Sequence, residues 1–211
     1  MNLRAFEYNM LPTNTYVVWD ETGEAVIIDP ACYSAAEQQA LVRFLSDNAL
    51  TVKHILLTHF HFDHVFGVPA AEQCCNLVCE AHPGDQWWAE HNAEAVRTFG
   101  IPYPGTPPII GKALNDGDRI TFGNLELQCF YTPGHSRGSV SFYCASEGVL
   151  FVGDTLFAGG GMGRTDLHEG DYEALMQSIR NRLMALPDAT TVYPGHGPST
   201  TIGAERWYHN L

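Results

Sequence analysis

Short apolar runs alternate with longer amphipathic segments in the first part of the chain. Residues 15–19 (TYVVW) are β-branched and aromatic, and residues 25–29 (AVIID) form a nearly continuous apolar run after a turn at ETG. This pattern predicts a hairpin that leads into a buried strand. A capping-box sequence, Ser34 with Glu37, and an apolar stripe then predict a helix; the stripe is Ala40, Leu41, Phe44 and Leu45.

Two more short strands and two helices are predicted before a proline-rich segment. Residues 54–58 (HILLT) and 77–80 (LVCE) are typical of buried strands. A helix is predicted up to about Gln73, and another over residues 83–99. Residues 100–111 contain four prolines, which excludes a helix there. We interpret this segment as a surface loop rather than a domain linker, because the candidate chemistry draws on both halves.

The second half is rich in short strands separated by turns that contain glycine. The strands are predicted at RITF, LELQCFY, VSFYC, VLFVGD and TVYPG, and residues 171–186 form an amphipathic helix. Each half therefore has strands followed by helices. Strands that are apolar on both faces are buried on both faces. This predicts an α/β fold with two sheets packed face to face and helices outside them.

Composition narrows the class of protein further. The 211 residues suit one domain, residues 1–211, and the apolar (45%) and charged (17%) fractions are those of a globular protein. The formal net charge of -13 disfavours nucleic acid and anionic membranes as partners. The chain has neither an apolar run of about 18 residues nor a signal-peptide pattern, so a cytoplasmic location is expected. Reduced thiols are expected at the six cysteines, which form no C-x-x-C pair.

The strongest chemical signal is THFHFDH, directly after the predicted strand at residues 54–58. On an extended segment His59, His61 and Asp63 point the same way. At a turn from strand to helix, His64 can swing to a neighbouring position. One ion cannot easily take all four groups at this spacing, so the pattern indicates two adjacent metal ions.

Three more candidate ligands lie beside glycine at the ends of predicted strands. They are His135 in TPGH, Asp154 in GD and His196 in PGHG. Strand ends direct side chains towards one rim of a sheet, and the total becomes seven ligands. Seven suit two ions with about three protein ligands each, one bridging carboxylate and room for water. The remaining histidines are expected to have core or turn roles: His54, His82, His91, His168 and His209.

HFHFDH resembles the H-x-H-x-D-H motif of the metallo-β-lactamase superfamily, and the three later ligands match its later motifs in order. The resemblance runs from about Asn14 to Gly197. It implies an αββα sandwich of two mixed β-sheets with helices on the outer faces. It also implies two divalent metal ions, with zinc as the first expectation and iron or manganese as alternatives. The implied ligands are His59, His61 and His135 for one ion, Asp63, His64 and His196 for the other, and Asp154 as the bridge.

Finer features resemble glyoxalase II. TPGHSRGS is similar to its TPGHT-x-GS segment, GDTLF also occurs there, and GMGRTD is similar to its G-C-G-[KR] loop. The resemblance implies hydrolysis of small-molecule thioesters such as S-lactoylglutathione by metal-activated water. Asp63 would orient the water, and Arg164 would bind a substrate carbonyl or carboxylate. The chain stops soon after PGHG, as in the short bacterial form that lacks the C-terminal helical domain.

Three other functions stay open at this point. A persulfide dioxygenase with one iron shares the first motif and the GRTD loop, but it usually lacks the histidine found here at His196. Lactone, β-lactam or other ester hydrolysis occurs in the same superfamily. A metal-binding module without catalysis would be indicated by an incomplete ligand set, whereas this set is complete. A monomer or a small homo-oligomer is expected.

Overall fold

The first half of the chain forms a mixed six-stranded sheet and four helices in the computed structural model, which describes residues 1–209. Strands β1 to β3 are antiparallel neighbours, and β3 to β6 run parallel to one another. The predicted capping box begins α1, since the Ser34 side chain accepts from the Glu37 N–H. The strands are β1 (Asn2–Tyr8), β2 (Thr13–Trp19), β3 (Glu24–Ile28), β4 (Thr51–Leu56), β5 (Cys79–Ala81) and β6 (Lys112–Ala113); the helices are α1 (Ala35–Asp47), α2 (Phe62–Val65), α3 (Val68–Cys75) and α4 (Gln86–Thr98).

The second half repeats this plan with a second mixed sheet of six strands in the order β7 to β12. Neighbouring strands are antiparallel except β10 and β11, which are parallel. The strands are β7 (Arg119–Phe122), β8 (Leu125–Tyr131), β9 (Val140–Cys144), β10 (Val149–Gly153), β11 (Thr191–Pro194) and β12 (Thr200–Thr201); the helices are α5 (Tyr172–Gln177) and α6 (Ile202–Tyr208).

Successive side chains along each strand point to opposite faces of the sheet, so the apolar residues divide into three layers. In β3, Ala25 and Ile27 lie in the layer beneath α1, whereas Val26 and Ile28 lie between the two sheets. In β10, Phe151 lies between the sheets and its neighbours pack under α5. A strand buried on both faces is apolar at every position, which explains the continuous apolar runs. The predicted sandwich of two mixed sheets with outer helices is confirmed.

Several local features differ from the sequence-based expectations. Strand β1 was not predicted, because its residues are mostly exposed or half-buried and give a weak apolar pattern. The helix expected over residues 171–186 is α5 followed by a π-helical segment, Ser178–Leu183. The helix expected from residue 83 begins with a 3₁₀ turn, Pro83–Asp85.

Other expectations agree with the structure. Residues 99–111 contain neither helix nor strand, in agreement with the predicted loop. All six cysteines are free. No helix within residues 1–209 is long and apolar enough to cross a membrane.

The two sheets are joined at the edge where β4, β8, β10 and β11 end. The Asn14 N–H donates to the Gly195 carbonyl at 2.7 Å, and the Tyr16 hydroxyl donates to the Pro194 carbonyl at 2.6 Å. The Val140 N–H donates to the Thr58 carbonyl at 2.7 Å. These contacts bring the loops of both sheets to one rim.

Candidate metal centre

All seven predicted ligands converge at this rim. Three loops that follow β8, β10 and β11 carry one ligand each, and the segment after β4 carries four. His61 is at the N-cap position of the short helix α2, and two further ligands, Asp63 and His64, are buried residues of that helix. The ligands after β4 are His59, His61, Asp63 and His64; the others are His135, Asp154 and His196.

The ligand atoms form two groups of three residues, which a third set joins: Asp154 with one histidine from each group, His59 and His64. In each group the candidate atoms lie within 4.8 Å of one another. Asp154 stands between the groups: its Oδ2 is 3.5 Å from Nε2 of both His135 and His196, and its Oδ1 is 3.3 Å from Nε2 of His64. The first ligand group is His59, His61 and His135; the second ligand group is Asp63, His64 and His196.

Unpaired buried atoms test whether metal ions fit this centre. Nε2 of four histidines and Oδ1 of Asp154 are buried without a hydrogen-bond partner among the described residues. Buried polar atoms are normally paired, so five unpaired atoms aimed at one centre require an explanation. Divalent ions provide it, because imidazole and carboxylate ligands suit zinc, iron or manganese. The four histidines are His59, His61, His64 and His135.

Asp29, directly after β3, orients one ligand of each group. Its Oδ2 accepts from Nδ1 of His64 at 3.0 Å and from the Thr58 hydroxyl at 2.6 Å. The same hydroxyl lies 3.1 Å from Nδ1 of His59. With Nδ1 of both rings hydrogen-bonded, Nε2 of each is left to bind metal. Asp29 was not among the residues predicted from the sequence, although it ends the AVIID run next to Pro30.

Backbone carbonyls orient two more histidines. Nδ1 of His135 lies 2.8 Å from the Arg164 carbonyl, and Nδ1 of His196 lies 3.0 Å from the Pro12 carbonyl. Both contacts direct the Nε2 atoms inward. Arg164 therefore supports a ligand through its backbone, a role that its sequence motif did not indicate.

The two groups differ in charge. Burial and the neighbouring histidines lower the pKa of His59 and His61 well below the usual range, and burial lowers the pKa of His135. Burial opposes charge in the second group too, but contacts between the carboxylates and histidines outweigh it. The pKa of Asp63 falls to about 2, and that of His196 rises to about 10.

A cleft of about 280 Å³ opens onto the centre. Arg164 lines the cleft, and its Nε and Nη2 donate to Asp166 at 2.6 and 2.7 Å. Its guanidinium is therefore already paired, and a contact with substrate stays a prediction. The wall of the cleft is otherwise mostly apolar: Leu11, Phe62, Trp88, Phe99 and Leu167.

The other histidines lie outside the candidate centre, although two of them do not have the core or turn positions expected: His54 is half-buried in β4, and His91 is half-buried in α4. Within residues 1–209 none of them belongs to a ligand group. His54 pairs with Glu80, and His91 contacts the Trp87 carbonyl.

Known proteins share this fold over nearly the whole chain. The hydroxyacylglutathione hydrolase GloC of Haemophilus influenzae is 32% identical over 207 residues, which cover 98% of this chain and 95% of that protein. The crystal structure of the BLEG-1 B3 metallo-beta-lactamase has a TM-score of 0.88 and 39% identity, covering 97% and 96% of the two chains. The di-iron-bound form of TTHA1623 has a TM-score of 0.84 and 38% identity, covering 96% of each chain.

The family model of the metallo-beta-lactamase superfamily matches residues 8–196, a range that includes all seven ligands. The chain therefore belongs to the metallo-beta-lactamase superfamily, whose members include binuclear metal-dependent hydrolases.

Proposed function

We propose that this protein is a binuclear metal-dependent thioesterase of the hydroxyacylglutathione hydrolase type. The observation that carries the proposal is the contact of Asp154 with both ligand groups, which makes a two-ion centre complete. The similarity to GloC over 98% of the chain supports thioesters of 2-hydroxy acids, such as S-lactoylglutathione, as substrates. Zinc is the first candidate for the ions; the di-iron form of TTHA1623 supports iron as an alternative.

When bound, a pair of divalent ions supplies water that ionises near neutral pH and polarises a carbonyl oxygen. The protein's own residues hold the reactants. Asp63 stays ionised, since its pKa is about 2, and its Oδ2 accepts from the Thr13 hydroxyl at 3.0 Å. An ionised carboxylate that is held in place can accept a hydrogen bond from the attacking water and orient it towards the substrate.

The reaction needs no nucleophile from the chain. Water adds to the thioester carbon, the carbon–sulfur bond breaks, and the products are a carboxylic acid and a thiol. The apolar wall around Trp88 and Phe99 limits access of bulk water to the bound ester. We propose that Arg164 leaves Asp166 to contact a carbonyl or carboxylate of the substrate.

Hydrolysis of S-lactoylglutathione by protein of measured metal content tests the proposal. We expect thiol release by the wild-type protein with two ions per chain, and its loss in His61→Ala. Glu80→Gln is a matched control, because Glu80 is a buried carboxylate that contacts His54 and Lys112 instead of a ligand. Fully metallated protein without activity on S-lactoylglutathione or related thioesters would contradict the proposal.

β-Lactam hydrolysis is the second candidate, because BLEG-1, described as a B3 metallo-beta-lactamase, is 39% identical to this chain. A panel of thioesters, lactones, β-lactams and persulfides on one metal-characterised preparation distinguishes these activities. One iron per chain with oxygen uptake on a persulfide would instead indicate a dioxygenase. The second ligand group, with His196 in place, argues against that outcome.

A further inference from the structure

Phe60, the residue between His59 and His61, is held on both sides of its backbone. Its N–H donates to Oδ2 of Asp85 at 2.8 Å, and its carbonyl accepts from Nδ2 of Asn92 at 2.7 Å. Both partners come from the turn and helix that follow β5. The peptide that separates two metal ligands is thus fixed by a segment that contributes no ligand.

The same aspartate also holds the loop that carries His135. Oδ2 of Asp85 accepts from the Ser136 hydroxyl at 2.9 Å, and its Oδ1 accepts from the Gly138 N–H at 2.6 Å. Asp85 is 1% exposed. One buried carboxylate therefore joins the two loops that carry all three residues of the first ligand group. Its side chain makes no hydrogen bond to the second group within residues 1–209.

The loop that carries His135 approaches Asp85 closely enough to require glycine at position 138. A Cβ atom at Gly138 would lie 2.5 Å from the Asp85 backbone nitrogen and 2.5 Å from its Cγ. No cation forms an ion pair with Asp85 in the described part of the chain, so only neutral donors compensate this buried carboxylate. An apolar residue would avoid the cost of burying an unpaired charge. The geometry indicates that the Asp85 carboxylate fixes the distance between the loop of His59 and His61 and the loop of His135.

We propose that Asp85 is a positioning residue of the metal centre, which sets the affinity of the first ligand group for its ion by joining the loops of His59, His61 and His135. It contacts neither the ion nor the substrate. The inference goes beyond the proposed thioesterase function, because it concerns metal binding and holds for any substrate.

Zinc titration of metal-free protein against a chromophoric chelator tests the inference. Asp85→Asn keeps the size of the side chain but turns an amide NH₂ towards donors, so at least one hydrogen bond is lost. His135→Ala and His196→Ala identify which binding step belongs to which group. His135→Ala should abolish one zinc-binding step. We expect Asp85→Asn to lower the zinc affinity of that same step by about 10–100-fold, which is the usual cost of losing an outer-shell partner. The step that His196→Ala removes should stay at its wild-type affinity.

Two further variants keep the test decisive. Ser136→Ala removes one donor to Asp85 and should weaken the same step by a smaller factor, which provides the answer if Asp85→Asn does not fold. Glu80→Gln, a buried carboxylate without contact to a ligand loop, should retain both steps. Wild-type affinities in Asp85→Asn, equal weakening of both steps, or the same loss in Glu80→Gln would each overturn the inference. None of these outcomes depends on thioesterase activity.

Discussion

The two ligand groups of the metal centre are built on different physical principles. The first group contains only histidines, which burial keeps neutral with their Nε2 lone pairs free. The second group contains the Asp63 carboxylate, which lies 3.2 Å from Nε2 of His196 and 3.6 Å from Nε2 of His64. The first group therefore offers neutral nitrogen atoms to a metal ion, whereas the second group contains both negative and positive charge.

This difference determines what must hold each group in place. Opposite charges attract one another, so the contacts of the Asp63 carboxylate with His64 and His196 fix the geometry of the second group in part. Neutral rings that are packed together have no such attraction and depend on partners outside the group. Those partners are a threonine hydroxyl, a backbone carbonyl and the Asp85 connection between two loops. Changes in these partners should therefore separate the two metal positions.

The largest effect is expected at Asp154, where the two groups meet. Asp154→Asn keeps the size of the side chain but removes the charge that contacts His64, His135 and His196. Outer-shell changes typically cost up to about 100-fold in activity. We expect the loss of kcat/KM on S-lactoylglutathione in Asp154→Asn to be larger than that. Metal content per chain should fall as well. Two tightly held ions and a near wild-type rate would show that Asp154 does not join the groups.

The convergence of the seven candidate ligands was predictable from sequence because they lie in short motifs at strand ends. THFHFDH and the glycine contexts of His135, Asp154 and His196 carry the signal locally. Asp29 and Asp85 have no such signature. Asp29 meets His64 from 35 positions away, when β3 and β4 pair within the first sheet. Asp85 meets Gly138 from 53 positions away, when the two halves of the chain pack together.

The fold was predictable to a similar depth. Continuous apolar runs indicate strands buried on both faces, and β3 and β10 have that pattern. Strand β1 was missed because edge pairing with β2, rather than burial, holds it in the sheet. The π-helical segment Ser178–Leu183 was missed because an apolar stripe does not distinguish it from a continuous α-helix.

The next effect concerns stability rather than metal. Burial raises the pKa of Asp85 to about 6, against about 3.9 for an unfolded aspartate. Its contribution to stability is present below about pH 4 and is lost as the pH rises through about 6. We expect metal-free wild-type protein to lose about 2 kcal/mol of unfolding free energy relative to Asp85→Asn between pH 4 and 7.

Denaturant unfolding at several pH values measures this difference. Glu80→Gln should show the opposite trend: burial opposes its charge, but His54 and Lys112 lower the pKa of Glu80. Its partners thus favour the ionised form, and wild-type stability relative to that variant should rise with pH. Parallel pH profiles for wild-type protein and Asp85→Asn would contradict the prediction.

A smaller effect is expected from Thr13, which supports the second group alone. Its buried hydroxyl donates to Oδ2 of Asp63 at 3.0 Å. Thr13→Val should weaken only the zinc-binding step that His196→Ala removes, by about 10-fold. Thr190→Val is the control, because the Thr190 hydroxyl is buried without a hydrogen-bond partner among residues 1–209. Weakening of the other step would show that the groups are not supported separately.

The smallest effect is expected for the Arg164 side chain, which faces the cleft, whereas the Arg164 carbonyl contacts His135 of the first group. Asp166→Asn removes the carboxylate that holds the guanidinium, while the carbonyl contact to His135 stays. The freed cation should favour S-lactoylglutathione over a neutral lactoyl thioester by roughly two- to fivefold in kcat/KM, since exposed ion pairs are weak. Asp188→Asn, which removes the ion pair of Arg206 at another surface, should leave this ratio unchanged. An unchanged ratio in Asp166→Asn would mean that the Arg164 side chain does not contact the charged part of the substrate, and that Arg164 acts only through its backbone carbonyl.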